Sequence, residues 1–594
     1  MGTSDNRTGA DLFAAVAANH PTAPAVRHGS HLLTYAELAG RAGALAEELR
    51  ARGIGPGDVV ATLLERSVSG PVAMLGTWAV GAAYVHLDAS ESQERVDRML
   101  SAAGGKVVLV DSRTEERLAG GSVELLRVAE LGTADFRLAP GRSGSDLAYL
   151  VFTSGSTGLP KAVAVEHRNV LGYAAAFRTR IAPLTPNSFG TATTFASDLG
   201  NTSVFGALLH GARLDVYDRE VVLDPAAFAA ELGRHPVDCL KSTPSQIEAL
   251  ARIGELGKLL PGELLVLGGE ALPPRLARSI VDTRPDLTVF NHYGPSETTV
   301  GVLMHRVTPA TAVRSRVPVG TPLAGTTVTI LGDDGEPVTD GTPGQLHLAG
   351  AGVGRGYHGD AALTAEKFHR HAWGRCYASG DLAVLNADGD IEILGRMDRQ
   401  IKIRGYRVEP AEVEHALNAH PGVRGQLVVG EESAVGGPME LVAYVIASAD
   451  PADLMRHLSA RLPSWCVPGR IHVVDAIPVT VNGKADLAAL RELAIAQAES
   501  APEAPAADGP RNDVERFIAE IWGDVLGRES IGVHAKFLEL GGNSFKSLTV
   551  FGKLRRRFPE LTVSTLFAHP TVAELARALT DAPLPAVATT AVEL

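Results

Sequence analysis

The chain has 594 residues, which at about 150 per domain corresponds to roughly 4 domain-sized units. Hydrophobic residues make up 45% and charged residues 21%, a globular composition that excludes wholesale disorder. Lys plus Arg is 55 against 68 for Asp plus Glu, so the net charge of −13 lacks the basic excess usual in nucleic-acid-binding proteins.

Taken in chain order, Met1 to His20 has no basic stretch running into an apolar one, so no signal peptide is expected. Tyr35–Arg52 has helical apolar spacing. Gly70 to Leu87 is the longest weakly polar stretch, but Pro71, three glycines and His86 make it a buried helix entering a strand rather than a membrane span. Val107–Val110 and Leu264–Leu267 read as buried strands alternating with helices, the pattern of an α/β fold. Ala383–Leu394 reads as a hairpin turning at Asp388-Gly389. Ala498 to Pro510 is Ala, Pro and acidic residues, an extended linker. Beyond it, Val514–Leu526, Ser544–Phe558 and Thr571–Leu579 predict a small all-helical domain, and Asp581 to Leu594 a frayed tail. Of the three cysteines, Cys239, Cys376 and Cys466, no two are close enough in sequence for a zinc pair. A disulfide framework is not expected either, so a reducing cytoplasm is the expected location.

Leu150 to Lys161 (LVFTSGSTGLPK) is an apolar strand running into hydroxyls, glycines and a lysine. Glycines let backbone N–H groups close on an anion; Thr153, Ser154, Ser156 and Thr157 add donors, and Lys161 adds charge. A solvated Ser/Gly loop is the plain alternative. Pro160-Lys161 excludes a Walker loop. A second glycine cluster, Gly350 to Gly356, is not followed by a helical pattern and is discounted as a dinucleotide loop.

With this loop, five further stretches occur in one order: Asn291 to Thr299, Tyr377 to Leu382, Gly395 to Gly405, Val481 to Lys484, and before them Leu33 to Leu38. Together they resemble the adenylation domains of nonribosomal peptide synthetases, within the adenylate-forming superfamily. The resemblance covers nearly the whole chain up to the linker. It implies a multi-domain α/β architecture: a large adenylate-forming core at 1–397, a small α+β C-terminal subdomain at 398–496, a linker at 497–511, an all-α four-helix carrier domain at 512–580 and a tail at 581–594.

Carried over residue by residue, the resemblance implies an ATP site. The loop residues Thr153, Ser154, Gly155, Ser156, Thr157 and Gly158 with Lys161 would meet the phosphates. Asp381 and Arg396 would hold the ribose, Tyr293 would stack on adenine, and Asn291 would meet its polar edge. Ser296 belongs to the same set. Glu297 would place Mg²⁺, which prefers oxygen ligands beside phosphates. Lys484 would span the substrate carboxylate and the α-phosphate, where removing a preorganised donor typically costs on the order of 10²–10³ in rate. Asp398 falls at the hinge of the C-terminal subdomain. Ala162 and Ala378-Ser379 depart from the usual pattern without touching a proposed ligand.

The same alignment places the amino-acid pocket on Asp198, Leu199, Thr202, Lys241, Val266, Gly268, His292, Val300 and Gly301, closed by Lys484. Asp198 would hold the α-ammonium group. Lys241 and His292 leave positive or donor character facing the side chain, and a buried lysine without an anion is costly. The lining resembles that of aspartate-activating members. For Lys241 the plain alternative is a surface lysine ending a strand, and for His292 a satisfied core histidine. Asparagine would leave the lysine unpaired at a cost of several kcal/mol. Glutamate differs by one methylene, about 1–3 kcal/mol, and a β-substituted aspartate also fits.

Phe537 to Ser544 (FLELGGNS) resembles the attachment site of peptidyl carrier proteins, where Ser544 would receive 4′-phosphopantetheine; a plain helix cap is the alternative. Lys546 stands where a hydrolase elbow would have glycine. No His-His-x-x-x-Asp-Gly run is present, so the chain is expected to activate and load an amino acid for antibiotic-type biosynthesis without itself forming a peptide bond. Expected partners are a phosphopantetheinyl transferase and a trans-acting tailoring enzyme or condensation domain. An MbtH-like protein is a common partner of the family; neither nucleic acid nor a membrane is expected. A ligase delivering to free coenzyme A and an inactive carrier-binding scaffold are the competing readings.

Overall fold

The computed structural model describes residues 6–118, 123–155, 160–338, 341–371, 374–403, 405–432, 439–478, 485–500, 508–528, 530–537, 540, 542 and 544–581. The short apolar runs become strands buried on both faces, as a largely parallel sheet flanked by helices requires. Val59–Leu63, Ala83–Leu87 and Val107–Val110 lie side by side in a seven-stranded sheet. Alternation divides each run between two cores: Val107 and Leu109 enter one apolar cluster, Val108 and Val110 another. Gly70 to Leu87 is a helix, Ser69–Ala79, followed by the strand Ala83–Leu87.

A second sheet has nine strands. Cys239–Ser242, Leu264–Gly268 and Thr288–Tyr293 run parallel within it, with Lys241 beside Val266 and Gly268 beside His292. Directly paired residues share a face, so Lys241, Val266, Gly268 and His292 all point the same way. They share that face with Cys239 and Phe290, which belong to the main core. The polar members lie at the carboxyl ends of the strands, where open α/β sheets bind ligands.

A third, antiparallel sheet joins Thr326–Leu331, Gly344–Gly350, Phe368–His371, Gly374–Leu385 and Ile391–Arg396. Its hairpin turns at Gly389, whose φ of 80° suits the expected Asp-Gly turn. By internal packing the chain forms two units, one of Met1–Ala416, Val428–Glu440 and Ala460–Cys466, the other of Leu417–Leu427, Leu441–Ser459 and Val467–Leu594. Residues 398–416 therefore pack with the first unit.

The second unit contains the helical domain: Asp513–Leu526, Ser544–Arg555, Val563–Ala568 and Val572–Asp581. Asn512 caps the first of these by accepting from the N–H groups of Val514 and Glu515, and Gly527 closes it with a φ of 69°. Trp522, Phe551, Leu554 and Leu575 are buried in this unit.

Phe205 is fully buried in the main core against Trp78, with ring centroids 6.2 Å apart. Phe205→Ala should cost about 3–5 kcal/mol, read as a lowered first unfolding midpoint in calorimetry with the carrier transition unmoved.

Candidate active site

The strand Leu147–Thr153 delivers Thr153, Ser154 and Gly155 to its carboxyl end. Thr153 Oγ1 is buried without a hydrogen-bond partner among the described residues, a donor left for a ligand. Ser154 Oγ donates to the Arg407 carbonyl at 2.5 Å. Ser156, Thr157 and Gly158 lie outside the described residues. So does Lys484.

Thr153, Ser154, Asp198, Leu199, Ser296, Val300, Asp381 and Arg396 meet around one solvent-open cleft. Lys402, Tyr406, Arg407 and Trp465 also line it, and the Tyr406 and Trp465 rings stack at 4.0 Å and 8°. Asp381 and Arg396 are cross-strand partners joined at 3.0 Å. Arg396 also forks onto Asp398, at 2.8 and 2.5 Å, so the expected hinge residue is held by the expected ribose residue. The Tyr293 hydroxyl donates to Asp381, and Lys402 sits 5.1 Å from the Tyr293 ring centroid. Asn291 Nδ2 donates to the Pro318 carbonyl at 2.8 Å, which uses one of its two N–H donors.

Glu297 is fully buried. Arg407 Nη1 donates to both its oxygens, at 2.9 and 3.0 Å, and the Tyr357 hydroxyl donates to Oε1 at 2.6 Å. Burial pushes its pKa up, but Arg407 and Lys161 outweigh burial and hold it down to about 2. Burial, with Arg407 nearby, lowers Lys161 to about 8. A metal needs free oxygen lone pairs. Glu297 meets cations and a hydroxyl instead, so this arrangement does not fit Mg²⁺ on Glu297 unless Arg407 has left.

The pocket residues fall into two groups. Asp198, Leu199 and Val300 reach the cleft, whereas Lys241, Gly268, His292 and Gly301 form a buried cluster. Thr202 and Val266 are buried as well, and the Thr202 hydroxyl bonds to Tyr173 at 2.8 Å. Lys241 Nζ donates to His292 Nδ1 at 3.0 Å, and Nε2 has no hydrogen-bond partner among the described residues. Burial lowers Lys241 to about 7 and, with Lys241 beside it, keeps His292 well below the usual histidine range. No carboxylate is within ion-pair distance of Lys241 among the described residues. Asp198 Oδ2 is likewise unpartnered among them, and burial raises Asp198 to about 6.

Two glycines make this floor possible. A Cβ on Gly301 would lie 2.1 Å from His292 Nε2, and one on Gly268 would lie 2.8 Å from Lys241 Nζ. Thr299 and Val300 just before hold φ of 63° and 64°, strained for branched side chains.

Arg407, Tyr357, Lys402 and Tyr173 were not among the expected site residues. Arg407 follows directly on the Gly395–Gly405 motif, so the end of that motif was the available signal. Ser544 opens the helix Ser544–Arg555; its side chain lies outside the described part.

Comparison with known proteins matches 13–358 to the AMP-binding enzyme family, 412–484 to the AMP-binding enzyme C-terminal domain, and 516–579 to the phosphopantetheine attachment site. Surfactin synthase subunit 2 of Bacillus subtilis is 35% identical over 96% of the chain, and bacitracin synthase 3 of Bacillus licheniformis 33% over 95%. The chain spans only 16% and 9% of those proteins' lengths. Among solved structures, holo-PA1221, an NRPS protein containing adenylation and PCP domains bound to a vinylsulfonamide inhibitor, is 25% identical. It aligns with a TM-score of 0.84 over 97% of both chains. An artificially fused adenylation–PCP di-domain from Klebsiella oxytoca, NpsA-ThdA, is 26% identical, with a TM-score of 0.72 over 84% of this chain and 98% of that one.

Glu297 lies below the ordinary carboxylate value, so its stabilisation is present above about pH 4 and is lost as pH falls toward 2. Arg407→Ala removes the compensating cation and should cost about 3–5 kcal/mol at pH 7. Adding Glu297→Gln should restore most of that loss in a double-mutant cycle read by denaturant unfolding.

Proposed function

The chain belongs to the AMP-binding enzyme family and carries a phosphopantetheine attachment domain, and from that premise we propose that it activates L-aspartate and loads it onto its own carrier. One observation carries the substrate assignment: a fully buried lysine whose hydrogen bond goes to a histidine ring, with no carboxylate in ion-pair reach among the described residues. Such a charge is stable in a dry pocket only with an anion beside it. Asp198 Oδ2 is the acceptor for the α-ammonium group, and Lys241 with His292 Nε2 supplies donors for the side-chain carboxylate.

The reaction is ATP plus the amino-acid carboxylate giving aminoacyl-AMP and pyrophosphate. Thr153, Ser154 and Lys161 face the phosphates, and Asp381 with Arg396 holds the ribose. Lys484 completes the carboxylate and α-phosphate contacts. Ser544 would carry the phosphopantetheine arm, whose thiol would accept the aminoacyl group as AMP leaves. The aminoacyl thioester is then delivered to a partner in trans, a tailoring enzyme or a condensation domain, in the biosynthesis of an amino-acid-derived natural product. The similarity to peptide synthases and to a carrier-containing solved structure supports this reading over free coenzyme A as acceptor.

In ATP–pyrophosphate exchange across the amino acids, L-aspartate should be the fastest substrate; a faster neutral or cationic one would sink the assignment. Lys241→Met should cost roughly 2–5 kcal/mol in kcat/KM for aspartate while the unfolding midpoint holds. Asp198 must be ionised and Lys241 charged, so kcat/KM should be bell-shaped in pH, rising through about 6 and falling above about 7. The upper limb should vanish in the Lys241 variant. Treatment with a phosphopantetheinyl transferase should increase the mass of the native chain by one phosphopantetheine group and leave Ser544→Ala unchanged; a mass shift in that variant would place the arm elsewhere.

A further inference from the structure

The antiparallel sheet of the first unit brings together side chains that the cleft does not use. Gly344–Gly350 pairs with Gly374–Leu385, placing His347 opposite Ala378. Phe368–His371 pairs with the same strand from the other side, placing His369 opposite Cys376. Paired residues share a face and faces alternate every residue. His347, His369, His371 and Cys376 therefore project from one face of three adjacent strands.

Three of them converge. One ligand atom each from His347, His371 and Cys376 lies within 4.8 Å of the other two. Cys376 Sγ and His347 Nδ1 are 3.7 Å apart. Zinc bonds of about 2.3 Å to sulfur and about 2.0 Å to nitrogen at the tetrahedral angle set those atoms roughly 3.5 Å apart. The far nitrogen of His347 meets Gln345 Oε1 at 3.2 Å. Donating there fixes the proton on Nε2 and turns the Nδ1 lone pair toward the sulfur, the outer-shell arrangement of metal-bound histidines. His347 and Cys376 are buried, and His371 is the more open of the three, which gives an ion a side to enter from. The three converging side chains include no carboxylate, so hard cations are disfavoured, and a thiol with imidazoles selects zinc-like metals.

We propose that His347, His371 and Cys376 form a zinc-binding site, with the fourth position taken by water or by His369. On binding, the Cys376 thiol releases its proton to solvent as the sulfur–zinc bond forms. The ion ties the two outer strands to the one that also carries Asp381, so it braces the sheet from which that carboxylate reaches the cleft.

The test uses the full chain, equilibrated with zinc and dialysed against metal-free buffer, followed by metal analysis and thermal unfolding. The native chain should retain a stoichiometric zinc, and added zinc should raise its unfolding midpoint. Cobalt in its place should give a thiolate-to-cobalt charge-transfer band. His371→Ala should lose the retained zinc and the zinc-dependent shift, while its midpoint in chelator matches the native one. Cys376→Ser should lose the charge-transfer band; if it does not fold, the His371 variant still decides the matter. No retained zinc in the native chain, or equal retention and equal shift in the His371 variant, overturns the proposal.

Discussion

Burying an ionised group without a counter-charge costs several kcal/mol, and the centre of this chain is arranged by that constraint. Glu297 is fully buried and is held ionised by Arg407, with Lys161 adding to the field. Because Arg407 answers Glu297, its backbone lies against the phosphate loop, where the Ser154 hydroxyl bonds its carbonyl. The same guanidinium lowers Lys161. A polyanion entering the cleft would meet a set of cations already partly committed to a carboxylate, so ligand binding and the Arg407–Glu297 pair are coupled.

The buried cluster around Lys241 and His292 obeys the same rule with the opposite outcome. Lys241 leans on a neutral ring, and Asp198 keeps one oxygen without a partner among the described residues. The protein leaves these groups incompletely satisfied, as binding sites do when the ligand completes the set. Left-handed Thr299 and Val300 lead into Gly301, whose missing side chain admits the His292 ring. Backbone strain and lost packing are thus concentrated beside the buried Lys241–His292 pair.

Much of the fold was legible because apolar runs of four or five residues, alternating with helical periods, have few other uses. Val107–Val110 and Leu264–Leu267, read as buried strands, are strands covered on both faces. The lining of the candidate cleft was legible where a motif carries it, as at Thr153, Asp381 and Arg396. It was not legible where a side chain acts across a long gap. Arg407 reaches Glu297 110 residues away in sequence, and Tyr357 reaches it across 60. The cysteines, read in pairs, suggested no metal site; the sheet pairs Cys376 with histidines instead, because strand register ignores sequence spacing.

Sequence alone determined which residue types were available: a strand running into hydroxyls, glycines and a lysine, a buried-strand lysine and histidine, and a serine soon after two glycines in a helical domain. It also determined the strand periods that put Lys241, Val266, Gly268 and His292 on one face. Only the tertiary structure decided which charges are answered and which are not. Lys241 could have been a solvated strand-end lysine, and burial by the surrounding core is what removes it from water and lowers its pKa. Desolvation depends on everything packed around a group, and no local stretch of sequence carries that information.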